Sequence, residues 1–202
     1  MNGSPRPPVI GLVGGIGSGK SAVAAILEDL GCVVSDSDRD AREVLADPKV
    51  LEVLQGWWGD AIVATDGRLD RSEIAARVFG DPAERKRLED LVHPRLHRLR
   101  EDRFAAASDD TCGLVIDAPL LFEAHLDDQC DAIIFVDASI DRRIERVVTS
   151  RGWEEAELHR REQAQIPLDE KRRRASHVIE NDGTRSELEG RVGVALDQIR
   201  NA

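Results

Sequence analysis

The chain has 202 residues, 41% of them apolar, and its 39 acidic and 28 basic side chains give a formal net charge of −11. That length suits one compact core and leaves little room for two independent ones. The acidic balance argues against sequence-independent nucleic-acid binding, which needs a dominant basic surface, but allows a local basic pocket for a phosphorylated ligand.

The opening residues MNGSPRPP lack the apolar stretch of a signal peptide and read as a frayed, proline-stiffened tail over residues 1–8. No apolar run approaches the ~18 residues a membrane span needs. Cys32, Cys112 and Cys130 lie far apart without a CxxC, the pattern of reduced thiols rather than of a disulfide framework or zinc site. A cytoplasmic protein with no membrane or nucleic-acid partner is expected, with a monomer favoured.

Val9–Val13 is a short apolar run that breaks into GGIGSGKS at 14–21. Residues 21–30 keep helical spacing, with Val23, Ile26, Leu27 and Leu30 on one face, and Gly31 closes the helix. Cys32–Ser35 predicts a second strand running into DSDRD at 36–40, and helical patterning resumes over 39–45. Residues 47–107 predict helices without a buried strand. Leu88, Leu91, Val92, Leu96 and Leu99 keep helical spacing across a break at Pro94, and Trp57 and Trp58 are expected to anchor the packing there. Further strands are predicted at 114–116, 132–136 and 178–179, and helices at about 140–150 and 185–200.

Strands alternating with helices imply right-handed parallel βαβ units with a site at the carboxyl ends of the strands. The predicted fold is α/β, a P-loop NTPase-type three-layer α/β/α domain over 9–202 with a five-stranded parallel sheet. Its core takes in 9–38, 108–150 and 171–202. The helices of about 40–107 are too long for a simple crossover and form an inserted lobe, and about 150–170 forms a small lid.

Gly14-x-x-x-x-Gly19-Lys20-Ser21, after a strand and opening a helix, is a complete phosphate-binding loop. Gly15, Gly17 and Gly19 let the backbone turn N–H groups inward around a β-phosphate, and the following helix adds the positive end of its dipole. Gly15, Ile16, Gly17, Ser18, Gly19, Lys20, Ser21 and Ala22 are therefore the expected nucleotide-binding residues. Lys20 reaches the β- and γ-phosphates, and the Ser21 hydroxyl ligates Mg²⁺. The loop alone leaves a small-molecule kinase, a GTPase switch and an ATPase open. A guanine reader Asn-Lys-x-Asp is missing, since none of Asn2, Asn181 and Asn201 precedes a lysine.

Asp36 and Asp38 follow the second strand, where a carboxylate can orient an acceptor hydroxyl and take its proton during phosphoryl transfer. Asp38 also suits a helix N-cap. Asp117 ends the run Leu114–Ile116 and has the position of a carboxylate that holds Mg²⁺. From Arg142 to Arg174 there are nine arginines and one lysine against seven acidic residues. Arg151 and Arg161 are the candidates for cations over the transferring phosphoryl group, while Lys171–Arg174 is expected at the surface. His93 and His97, split by Pro94, do not make a metal site.

These residues resemble the dephospho-coenzyme A kinase family over nearly the whole chain. The resemblance rests on GLVGGIGSGKS at 11–21, DSDRDARE at 36–43, His93-Pro94, DAPLLFE at 117–123, the spaced Arg146 and Arg151, RREQAQIPLDEK at 160–171 and VIENDG at 178–183. It implies transfer of the γ-phosphoryl group of ATP to the ribose 3′-hydroxyl of dephospho-CoA, the last step of coenzyme A synthesis. It implies that the inserted lobe receives the acceptor. By position Asp36 matches the family's proposed base, and Asp38 and Arg42 fall in its acceptor-side motif. His93 falls in the substrate lobe, Pro119 in the DAPLLFE motif on the substrate side, Arg151 and Arg161 in the lid, and Asn181 in the loop that meets adenine. Ala22 stands where the family usually has Thr, which implies weaker ATP binding without loss of activity. Ser176-His177 stands where Ala-Asp is common and unsettles how the last strand begins. Two other readings compete: a P-loop kinase for another small acceptor such as a nucleoside monophosphate or sugar acid, and an ATP-binding regulatory module.

Overall fold

A computed structural model describes residues 6–65 and 67–202. The chain divides into two compact units, one comprising the chain up to Asp36 and from Ala106 to Ala202, the other Ser37–Ala105.

The first unit is built on five short strands: β1 (Val9–Gly14), β2 (Cys32–Asp36), β3 (Gly113–Asp117), β4 (Ala132–Asp137) and β5 (His177–Glu180). They form one all-parallel sheet in the order β2-β3-β1-β4-β5. Its helices are α1 (Lys20–Asp29), α6 (Ile140–Arg151), α7 (Glu155–Glu162), α8 (Leu168–Arg174) and α9 (Arg185–Arg200); the second unit holds α2 (Ser37–Ala46), α3 (Pro48–Trp58), α4 (Arg71–Gly80) and α5 (Pro82–Ala105). A parallel sheet covered on both faces needs near-continuous apolar strands, and LVID, AIIFVD and VIGLVG meet that need. Alternation decides which side each residue serves. Ile10, Leu12, Val34, Val115, Ile134 and Val136 join Val23, Ile26 and Leu27 of α1 and Leu188, Val192 and Leu196 of α9 in one buried cluster. Gly11 faces the other way, and a Cβ there would stand 3.0 Å from both Leu121 and the Cys130 sulfur.

The strand and helix limits agree with the sequence pattern to within one or two residues. Ser176, one of the departures from the family pattern, explains how β5 begins. Its N–H and hydroxyl donate to the Ile133 carbonyl at 3.0 and 3.1 Å, and its hydroxyl accepts the Ile133 N–H at 2.9 Å.

Four expectations are corrected. Of the tail, residues 1–5 lie outside the described residues, but Arg6–Pro8 are tied down rather than frayed. Arg6 pairs with Asp131 at 2.7 Å, Asp131 also accepts the Val9 N–H at 2.8 Å, and the Pro8 carbonyl accepts the Leu114 N–H at 2.8 Å. Of the segment Lys171–Arg174, expected at the surface, Lys171 is not there. Lys171 is fully buried, its ammonium donating to the Pro119 carbonyl at 3.1 Å and to Gln165 at 2.9 Å and standing 3.4 Å from Glu123. Arg172 pairs with Asp137, and Arg174 pairs with Asp127 at 2.6 Å while lying 4.0 Å over the Phe122 ring. Arg172, Arg173 and Arg174 are exposed as expected, so the expectation fails only at Lys171, whose burial charge composition could not show.

The third and fourth corrections lie in the helical unit, α2 to α5. α5 runs through Pro94 instead of breaking there. Proline removes one i→i−4 bond, the one to the Asp90 carbonyl, and the rest of the 24-residue helix carries α5 past it. The unit has its own core of Val44, Val50, Leu54, Ile62, Ile74 and Val92. Trp57 and Trp58 pack against it edge-to-face, 5.9 Å apart. α2 starts at Ser37, so Asp38 sits in its first turn rather than at its N-cap, a placement that still favours the carboxylate through the helix dipole. Inside the unit, the buried Asp40 pairs with Arg103 at 2.6 Å.

Candidate active site

β1 is the central strand, so the loop that follows it opens at the middle of the sheet's carboxyl edge. Gly14-Gly15-Ile16-Gly17-Ser18-Gly19 turns there and leads directly into α1 at Lys20. Gly17 and Gly19 have φ of 79° and 90°, the left-handed region in which a side chain is strained. Close approach also excludes side chains: a Cβ on Gly17 would meet the Arg143 carbonyl oxygen at 2.7 Å, and one on Gly19 would overlap the Asn181 amide.

The loop is held from outside by α6 and by the turn after β5. The Arg146 guanidinium donates to the Gly17 and Ser18 carbonyls at 3.2 and 3.0 Å and to the Asn181 carbonyl at 2.7 Å. The buried Asn181 amide donates to the same Ser18 carbonyl at 2.8 Å. Asp182 accepts the Ser139 N–H at 2.9 Å at the start of α6. That bond, the Ser139 hydroxyl and the charges of Arg146 and Arg142 hold its carboxyl below the usual range against a partial desolvation. Arg143 is buried and pairs with Glu162, the last residue of α7. Not every N–H of the loop is left for an anion, contrary to the expectation for Ile16 and Ser18: the Ile16 N–H donates to Glu162 at 3.1 Å and the Ser18 N–H to the Gly15 carbonyl at 3.0 Å.

At the strand ends, Asp36 and Asp117 are register partners on β2 and β3, and Leu12 of β1 is the other register partner of Asp117. Asp117 is buried and pairs with Lys20. The Ser21 hydroxyl belongs to an exposed residue in the first turn of α1. An exposed hydroxyl and a buried carboxylate are hard oxygen donors, and two such groups completed by water and phosphate oxygens fit Mg²⁺. Pro119 follows two residues after Asp117 and uses its carbonyl on Lys171. Ala22, lacking a hydroxyl, keeps a backbone N–H bonded to the Gly19 carbonyl at 2.9 Å.

Arg151 and Arg161 come together although ten positions apart. Their guanidinium carbons lie 4.8 and 4.2 Å from the centroid of the Trp153 ring. Arg161 also donates to Glu157 at 2.6 Å. Asp38, Arg42 and His93 belong to the helical unit, the first two on α2 and the last exposed on α5.

Sequence reasoning missed Arg143, Arg146 and Glu162 as site residues. Arg143 and Arg146 are an i,i+3 pair with the buried Val147 beside them, so they share the inward face of α6. That periodicity was a usable signal. Glu162 lies in the segment RREQAQIPLDEK that carries the family resemblance, but no local spacing marked it as a partner of the loop.

Comparisons with known proteins show what the chain as a whole is similar to. A family model described as dephospho-CoA kinase matches residues 8–187. A dephospho-CoA kinase of Deinococcus radiodurans is 41% identical over 196 residues, covering 96% of this chain and 93% of that protein. One from Thermobifida fusca is 38% identical over 193 residues, covering 95% and 96%. Among solved structures, TT1252 from Thermus thermophilus superposes with a TM-score of 0.84 at 36% identity, covering 96% of this chain and 98% of that one.

Proposed function

The chain belongs to the dephospho-CoA kinase family, and on that premise we propose that it moves the γ-phosphoryl group of ATP onto the ribose 3′-hydroxyl of dephospho-CoA, with Asp36 facing the hydroxyl and Lys20 the phosphates. ATP-dependent phosphorylation of dephospho-CoA, a step of coenzyme A biosynthesis, is the activity of the family.

One observation supports the residue roles most: at the carboxyl edge of the sheet, Lys20 and two register-paired aspartates flank the mouth of the phosphate loop. The loop amides and the N-terminus of α1 bind the β-phosphate. Lys20 stabilises charge on the β- and γ-oxygens as it builds in the transition state. Asp36 orients the acceptor hydroxyl and accepts its proton as the O–P bond forms and the γ-phosphorus–oxygen bond to ADP breaks. Since the transition state is loose, positioning is the larger part of its contribution. Ser21 and Asp117 would hold Mg²⁺, which when bound neutralises charge across the β- and γ-phosphates. Arg151 and Arg161 supply positive charge over the transferring group. Asn181 holds the loop after β5, which we assign to the adenine.

Asp38, Arg42 and His93 are assigned to the acceptor, as is Pro119, on the strength of the family pattern. No described helix is long and apolar enough to cross a membrane. We further propose a monomeric, cytoplasmic enzyme.

The test is purified protein with Mg-ATP and a panel of acceptors, following ADP release. Turnover restricted to dephospho-CoA is expected. Turnover only on another acceptor, or ATP binding without acceptor-dependent ADP, would overturn the reading.

A further inference from the structure

We propose that Glu162 is a positioning residue that fastens the lid helix α7 to the outside of the phosphate loop, so that the loop's amides and Arg161 meet the triphosphate as one unit. The proposal rests on ATP being the bound nucleotide.

A single oxygen makes the connection. Glu162 Oε1 accepts the Ile16 N–H at 3.1 Å and also receives Nη1 of Arg143, whose guanidinium stands 3.5 Å from the Ile16 carbonyl. Ile16 is thus the loop residue whose N–H turns outward to a protein anion. Space for this pair is made by Gly15. A Cβ there would lie 2.9 Å from Arg143 Nη1 and 3.2 Å from Glu162 Oε1. Gly15 is not among the glycines with positive φ, so close approach, not backbone freedom, is what this position requires.

The energetics make the contact selective. The Arg143 side chain is 9% exposed and Glu162 15%, so each would be left as a buried charge without the other, and breaking such a pair is far costlier than breaking an exposed one. Moving α7 away would strand both Arg143 and the Ile16 N–H. Glu162 is adjacent in sequence to Arg161, and consecutive helical residues point about 100° apart. The same helical turn therefore presents Glu162 to the loop and Arg161 to Trp153, 4.2 Å from the ring centroid. A shift of the loop becomes a shift of Arg161.

The experiment compares Glu162→Ala, Glu162→Gln and the double variant Arg143→Met/Glu162→Met in the full chain. It reads ATP affinity by calorimetry, KM for each substrate, kcat and Tm. Loss of one charge-assisted hydrogen bond to the loop should weaken ATP about tenfold in Glu162→Ala, with KM for dephospho-CoA within about twofold. Glu162→Gln keeps an oxygen for Ile16 and should recover most of that affinity. The double variant removes both charges together and should restore Tm towards the parent while ATP binding stays weak.

Unchanged ATP affinity in Glu162→Ala would overturn the proposal. So would a double variant in which ATP affinity returns along with Tm, because the pair would then matter only for folding. If the parent chain binds ATP but fails to phosphorylate dephospho-CoA, the proposed function fails, while the affinity comparison still decides the role of Glu162.

Discussion

Asp36 and Asp117 face each other across β2 and β3 as register partners, their backbones one strand spacing of about 4.8 Å apart. Lys20 pairs with Asp117, and the proposed function gives Asp117 to the cation and Asp36 to the acceptor hydroxyl. Asp36→Asn keeps shape and removes the proton acceptor. It should lower kcat by about 10²-fold, the low end for general-base catalysis, and leave ATP affinity within about twofold. If single-turnover kinetics and calorimetry show only ATP affinity changing, Asp36 is a nucleotide or metal residue.

Lys20→Ala should lower kcat by about 10³-fold, since it removes a preorganised cation from the developing phosphate charge. A steady-state assay at saturating ATP giving near-normal kcat would remove Lys20 from the site.

Trp153 holds two arginines by their faces, each contact worth about 0.5–1 kcal/mol at an exposed position. Trp153→Ala should therefore reduce kcat/KM for ATP roughly two- to fivefold, and Trp153→Phe should recover most of it. Equal losses in the two variants would show that the ring face is not what positions Arg151 and Arg161.

Lys171 is buried against Glu123, Gln165 and the Pro119 carbonyl, and Glu123 also accepts the Ile166 N–H at 2.8 Å. Lys171→Ala leaves the Glu123 carboxylate without its cation and should cost about 3–5 kcal/mol in urea unfolding. A loss below about 1 kcal/mol would mean that water replaces the ammonium there.

Burial pushes the Cys32 thiol up from 9.0 to about 12, with the neighbouring Cys112 acting in the same direction and Arg200 opposing. The folded state thus keeps a proton that the unfolded chain releases. Its stabilising contribution is complete below pH 9 and declines as pH rises towards about 12. Thermal unfolding from pH 8 to 11 should show a steeper fall in Tm for the parent than for Cys32→Ala. Parallel curves would sink the assignment.

Much of the architecture was legible because its signals are local. The β1–loop–α1 unit has a fixed spacing of glycines and a lysine, and each strand is a short apolar run closed by a turn former, so Asp36 and Asp117 could be placed at strand ends by counting. Pro94 misled because a single proline is locally a breaker, while a long helix with its own packing tolerates one missing bond.

Sequence alone determined the phosphate loop, the parallel sheet and the family pattern, all of which depend on residues near each other along the chain or on the alternation of side chains. Tertiary structure decided the distant partners: Arg146 and Asn181 on the loop's carbonyls, Glu162 on the Ile16 N–H, and Lys171 on the Pro119 carbonyl. Those partners lie from 52 to 163 positions apart. The physical reason is that a charged side chain reads the same in sequence whether water or a distant carbonyl will receive it, and only folding brings the carbonyl within reach.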